Sequence, residues 1–249
     1  MAGHSKFKNI MHRKGAQDKK RAKIFSRLGR EISVAVKESG PDPEKNIRLR
    51  TAVGSAKSLN MPKDNIERAI RKGEGNDPDS NYEQVRYEGY GPDGVAIIVE
   101  ALTNNKNRTA AEIRSTFNKY GGNLGETGSV SFGFKRLGNI TINIQNANEE
   151  DLFDFIVENG SEDYEVNEDE YNIYCDQKIL HQLNQKIIEK FGQTKFTGLV
   201  WKSDNDITVS KDKAETLFKL LNILEENEDV QAVSSNFDVS DDVLASLTA

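Results

Sequence analysis

The sequence predicts an α+β multidomain protein: an N-terminal three-helix domain followed by two ferredoxin-like α+β domains, one inserted in the other. Three observations predict it. The hydrophobic period is helical up to Gly75 and then changes to strand-length runs alternating with helical ones. Residues 137–203 read strand, helix, strand, strand, helix, strand, which is the split βαβ order of a ferredoxin-like unit. The elements on either side of that unit supply, in two pieces, the parts of a second one. With 249 residues, 36% of them hydrophobic and 30% charged, each domain is expected to be small, well solvated and thin-cored.

Taken in order, Gln17 to Ser39 places Ile24, Phe25, Leu28, Ile32, Ala35 and Val36 on one stripe at spacings of three and four, an amphipathic helix ended by Gly40. Asp42-Pro43 offers a cap and a first-turn proline for a second helix carrying Ile47, Leu49, Ala52, Val53 and Ala56. Pro62 opens a third, with Ile66, Ala69 and Ile70 inward and Gly73 expected just past its end. The polar, turn-rich stretch 73–81 marks a domain boundary. A lead-in strand, Tyr82–Tyr90, precedes strand Gly94–Leu102, helix Arg108–Tyr120 and strand Ser129–Phe134. The inserted unit follows: strand Asn139–Ile144, helix Glu149–Asn159, strands Asp163–Val166 and Tyr171–Cys175, helix Lys178–Phe191 and strand Lys195–Trp201. Strand Asp206–Ser210, helix Lys211–Asn227 and strand Val230–Ser235 complete the interrupted domain. The expected divisions are therefore 1–78 (helical and basic), 79–136 plus 204–240 (a discontinuous α+β domain), 137–203 (inserted) and 241–249 (a tail).

Charge is distributed far less evenly than hydrophobicity. Residues 1–75 hold 19 Lys+Arg against 8 Asp+Glu, a net of +11. The chain as a whole is −6, which leaves −17 on residues 76–249. Folding is indifferent to the sign on a solvated face, so this split points to a polyanionic partner, and nucleic acid is the abundant one. The first thirty residues hold 10 Lys+Arg and one acid, Asp18, whereas a face built for solubility mixes signs. The candidate nucleic-acid-binding residues are Lys6, Phe7, Lys8, His12, Arg13, Lys14, Lys19, Lys20, Arg21, Lys23, Arg27 and Arg30. Their cations would neutralise phosphates with release of counterions, Arg would add bidentate geometry, and Phe7 would stack on a base. A membrane-surface helix competes for the same pattern, but Trp is missing from it and the apolar face is modest. A transit peptide is a further reading, against which the basic run continues straight into the first helix.

Other motifs argue mainly for structure. The glycines of Tyr120-Gly121-Gly122-Asn123-Leu124-Gly125-Glu126-Thr127-Gly128 follow a helix, the reverse of a phosphate-cradling loop, and suit a sharp connector. Tyr90 to Gly94 reads as a turn between strands. His4, His12 and His181 do not form a metal set, and Cys175 has no second sulfur beside it. The acidic pairs fall at helix ends and in the tail, no nucleotide-binding or hydrolase signature is present, and Trp201 is expected in a core. Neither catalytic residues, nor a metal, nor a cofactor is expected. The longest clearly apolar strand, Val95–Val99, is far too short to span a membrane, no apolar stretch follows the basic N-terminus, and a single cysteine suits a reducing compartment; a cytoplasmic protein is expected.

The opening Ala2-Gly3-His4-Ser5-Lys6-Phe7-Lys8-Asn9-Ile10, with His12-Arg13-Lys14 and Gln17-Asp18, resembles that of the YebC/PmpR family. So do Lys23-Ile24-Phe25, Arg30-Glu31-Ile32 and Asn60 to Ile70. The likeness continues at Tyr87 to Pro92, Gly94-Val95-Ala96, Asn107-Arg108-Thr109, Gly121 to Gly125, Gly128-Ser129-Val130, Asp229-Val230-Gln231 and Asn236-Phe237-Asp238. Residues 140–200 match least. Phe7 stands where the family often has Trp, Phe132-Gly133-Phe134 where Trp-Met-Phe is common, and Ser203 near a frequent Pro. The resemblance implies a helical domain and two α+β domains. It also implies a regulator of gene expression: a DNA-binding transcriptional regulator in the usual description of bacterial members, or a translation factor acting at the ribosome, as mitochondrial relatives and some bacterial ones look to be, which here would bind ribosomal RNA. A third reading, from fold analogy alone, is a small-effector sensor with its site between residues 82–134 and the inserted domain.

Overall fold

In the computed structural model, which describes residues 17–75, 81–167, 169–240 and 242–243, the chain starts with three packed helices, α1 (Gln17–Ser39), α2 (Ile47–Ser58) and α3 (Lys63–Glu74). Ile32, Ala35 and Val36 of α1 meet Leu49, Ala52 and Ala56 of α2 and Ile66 and Ala69 of α3, with Met61 closing the end. Two expectations about the ends of these helices are corrected. Asp42 does not cap α2; its carboxylate accepts the Glu44 N–H (3.0 Å) in a preceding turn, and the cap is the buried Asn46. That side chain accepts the Leu49 N–H (3.0 Å) and donates to the carbonyls of Ala35 (2.7 Å) and Gly40 (2.8 Å), tying α2 to the end of α1. Because α2 starts at Ile47, that residue stands clear of the core, 61% exposed. Gly73 is not past the end of α3 but inside it, where a Cβ would come 2.5 Å from the Ser33 carbonyl oxygen and 2.7 Å from Val36 Cβ. Its role is close helix packing.

Strands β1 (Glu83–Tyr90) and β2 (Ala96–Thr103), helix α4 (Lys106–Lys119) and the short β3 (Asn123–Leu124) follow. The inserted unit is β4 (Phe134–Asn143), α5 (Glu149–Glu158), β5 (Ser161–Val166), β6 (Glu170–Cys175), α6 (Leu180–Phe191) and β7 (Phe196–Ser203). The chain returns through β8 (Ile207–Thr208), α7 (Lys211–Glu226), β9 (Val230–Ser235) and β10 (Phe237–Asp238).

The inserted sheet runs β5-β6-β4-β7, all neighbours antiparallel, the strand order a ferredoxin-like split βαβ requires. Its core packs Ile140, Ile142, Ile173 and Cys175 against Leu152 and Ile156 of α5 and Leu183 and Ile187 of α6. Burial pushes the Cys175 thiol up to about 11.

The interrupted domain has the order β3-β1-β2-β9. This is again ferredoxin-like, but the lead-in strand β1 takes the central place expected for Asp206–Ser210, whose β8 pairs instead with β10 in a separate two-stranded sheet, and β3 takes the edge place expected for residues 129–134. That segment is not a strand: Ser131–Gly133 forms a 3-10 turn, and the amides of Val130 and Ser131 are committed elsewhere, to the carboxylate of Glu88. β2 explains the longest continuous apolar run in the sequence, because both its faces are covered. Ile97 and Val99 meet Ile113 and Phe117 of α4 and Leu217 and Leu220 of α7, while Ala96 and Ile98 meet Val130 and Phe134.

Candidate nucleic-acid interface

Of the twelve residues the sequence nominates, Lys6, Phe7, Lys8, His12, Arg13 and Lys14 lie outside the described residues. Lys19 and Lys20 fall in the first turn of α1, with their side chains outside the description. Arg21 is exposed, its guanidinium 5.3 Å from the Phe25 ring and within 3.4 Å of the Asn60 carbonyl. The remaining three turn toward the acidic junction between α7 and β9, Glu225-Glu226-Asn227-Glu228-Asp229.

Arg27 donates to the Glu225 carbonyl at the end of α7, a helix with no basic residue of its own in its last turn. A cation there complements the partial negative charge of the helix C-terminus. Arg30 donates to the Glu228 carbonyl (2.6 Å) and to Asp229 Oδ1 (2.9 Å). Lys23 is held down to about 8 by burial and by Arg27, against the pull of Glu226, Glu225 and Glu228. The structure thus commits Arg27 and Arg30, assigned to phosphate on charge alone, to fastening the helical domain onto the α+β body. A long helix whose middle cations all face another domain of the same chain cannot lay that face in a DNA groove.

Asp229 is the centre of this fastening. Besides Arg30, its carboxylate accepts from Arg108 Nη2 (2.7 Å), Thr109 Oγ1 (2.7 Å) and Thr103 Oγ1 (3.1 Å) while only 5% exposed. Burial raises its pKa, but the donors from Thr109 and Arg108 more than offset that and hold the carboxyl below the usual range. Tyr82 extends the seam: Arg30 and Lys72 lie 5.5 and 5.4 Å from its ring. Of these residues sequence nominates only Arg30, and for phosphate rather than for this seam, although Arg30, Arg108, Thr109 and Asp229 all stand in the blocks that carry the family resemblance.

A second buried carboxylate organises the glycine-rich connector. Glu88, with no exposed side-chain surface, accepts from the amides of Val130 (3.0 Å) and Ser131 (2.9 Å) and pairs with Arg86 Nε (2.8 Å). Burial raises its carboxyl, yet the amides of Val130, Gly128 and Ser131 together with Arg86 bring it below the usual range. Gly121 and Gly128 hold φ of +73° and +94°, the sharp-connector role expected of them. Arg86 and Arg136 both sit 5.0 Å from the Trp201 ring, and Arg136 pairs with Glu100 (2.8 Å). Trp201 therefore lies at the joint of the two α+β domains, on the edge of a cluster rather than deep in a core.

Cations left facing solvent include two that charge counting did not single out. Arg68 and Arg71 are exposed on α3 and have no acidic partner among the described residues. Helical spacing was the available signal: both fall on the face opposite Ile66, Ala69 and Gly73. Among the described residues, no group of three or more His, Cys, Asp and Glu could hold a metal ion, and no helix is long and apolar enough to cross a membrane.

Residues 5–76 match the family model described as the TACO1/YebC protein N-terminal domain, and residues 82–237 match that of the TACO1/YebC second and third domain. The chain is also similar to a crystal structure of a conserved hypothetical protein, Aq1575, from Aquifex aeolicus, at 43% identity and a TM-score of 0.82 over 89% of this chain and 91% of that one. Three helices fastened to a pair of nested α+β domains, matched along nearly their whole length, make this chain a member of the TACO1/YebC family.

Proposed function

We propose that this protein is a non-enzymatic, cytoplasmic regulator of gene expression that binds nucleic acid through its basic helical end. One observation carries the reading: a net of +11 on residues 1–75 against −17 on the rest. Phosphate is gripped by the cations of residues 6–21 together with Arg68 and Arg71 of α3, while the acidic α+β domains repel the polyanion and confine it to that end. Lys23, Arg27 and Arg30 serve instead to hold the helical domain in a fixed attitude. The resemblance to the YebC/PmpR family supports a role as a transcriptional regulator acting on DNA.

A second reading, RNA at the ribosome, is favoured by the orientation of α1. Its cations from Lys23 to Arg30 face the α7–β9 junction, which leaves shape and phosphate recognition rather than base reading from a groove-bound helix. Crosslinking in cells followed by sequencing of both DNA and RNA separates the two. Promoter peaks support transcription, a single ribosomal RNA site supports translation, and the absence of either nucleic acid contradicts the proposal.

A further inference from the structure

The inserted domain carries an apolar strip that its own core uses only in part, through the half-buried Tyr164. Helix α5 needs one inward face, and Leu152 and Ile156, both buried, provide it. Yet Phe153 and Val157, one turn apart on the flank of that helix, are 45% and 55% exposed. Phe153 rests on Tyr164 of β5, ring centroids 5.7 Å apart. Val166, 44% exposed, lies two residues further along the same face of that strand. The strip Val157–Phe153–Tyr164–Val166 is thus continuous across a helix and a strand, and β5 is the edge of its sheet, with one side unpaired among the described residues. Isolated exposed apolar residues are ordinary; a connected strip beside an open edge is not.

Charge identifies the kind of partner. α5 contains five carboxylates and no Lys or Arg, and the strip is bracketed by them, Glu149 on one side, bonded to the Tyr164 hydroxyl (3.1 Å), and Glu150 and Asp154 on the other. Residues 137–203 as a whole hold 13 Asp+Glu against 5 Lys+Arg. Nucleic acid would be repelled, and a second copy meeting it strip to strip would bring the same carboxylates to the contact. A protein segment with apolar residues flanked by Lys or Arg meets both requirements, burying the strip and satisfying its rim.

We infer that the strip formed by α5 and β5 is a docking surface for a basic, amphipathic protein segment. It lies in the acidic inserted domain, whereas the nucleic-acid reading concerns the helical one, so one can fail without the other. The test is fluorescence anisotropy of a labelled synthetic amphipathic peptide of Leu and Lys, titrated with the full chain at physiological ionic strength, with the Leu/Glu counterpart as control. Binding of the Leu/Lys peptide is expected to weaken at least about tenfold in Phe153→Ser/Val157→Ser and in Glu150→Lys/Asp154→Lys. It should be unaffected by Arg68→Glu/Arg71→Glu. All four positions are on the surface, and an unchanged circular dichroism spectrum would confirm that the variants fold. No binding, equal binding by the strip variants, or binding of the Leu/Glu peptide overturns the inference. A photo-crosslinker in place of Phe153 in cells should capture a Lys/Arg-rich segment of another protein; an adduct with nucleic acid or with a second copy overturns it as well.

Discussion

Replacing Asp229 by Asn tests the seam between the helical domain and the rest of the molecule. The amide keeps the shape of the carboxylate but removes its charge and turns one acceptor into a donor. It does so in front of four donors from Arg30, Arg108, Thr109 and Thr103. Breaking a buried ion pair by removing one partner costs about 3–5 kcal/mol. Arg30 is well covered, but the Arg108 side chain is 46% exposed and water screens its share. A loss of about 3 kcal/mol is therefore expected, somewhat more than a hundredfold in the folded-to-unfolded ratio. Denaturant unfolding at neutral pH, followed by circular dichroism for the helices and by fluorescence of the single Trp201, measures it. The pH dependence gives an independent check. The Asp229 carboxyl lies below its ordinary value, so its contribution is complete above the unfolded pKa of about 3.9 and is lost as pH falls through the folded one. Wild type and variant should differ fully at pH 7 and converge in acid below about pH 4. A difference under about 0.5 kcal/mol at neutral pH, or one that persists unchanged into acid, would refute the reasoning.

Three further outcomes follow from the same geometry. Glu88→Gln removes the charge that anchors the amides of Val130 and Ser131; a loss of about 1–3 kcal/mol and faster hydrogen exchange at those two amides are expected, and unaltered exchange would count against the anchor. Gly73→Ala should destabilise by about 1–3 kcal/mol because the Cβ collides with backbone of α1; a gain, as helix propensity alone would give, would show that the helices are not that close. Lys23→Met should be more stable than wild type at pH 7, where folding holds a partly buried ammonium at a cost, its pKa being about 8. That advantage should fade as pH rises from 8 through the unfolded value of about 10.4, at which both states lose the proton; a constant difference across that range contradicts the shift.

The secondary structure was largely readable because it follows from local rules. α1 and β9 run over the residues that periodicity alone assigns, Gln17–Ser39 and Val230–Ser235. The inserted domain's element order is equally legible, since each strand and helix there has its own turn signals. Failures came where a tertiary partner overrode a local signal. Residues 129–134 alternate like a strand, but the distant Glu88 takes their amides. Gly73 looks like a helix stop until Ser33 and Val36 are placed against it. For the candidate site, the sign and position of the charge were legible in composition, but its division of labour was not. Arg27 and Arg30 differ from Arg21 only in what faces them, a junction almost two hundred residues away in the chain.

The most direct test of nucleic-acid binding by the basic end is a salt titration, with labelled duplex DNA and a labelled RNA hairpin bound by the full chain and followed by anisotropy. The account predicts that log affinity falls linearly with log salt, by about 0.7–0.9 per phosphate engaged. Reversing Lys19, Lys20, Arg21, Arg68 and Arg71 to Glu should abolish binding while the α+β domains stay folded. Retained affinity with an unchanged salt slope in that variant would contradict it.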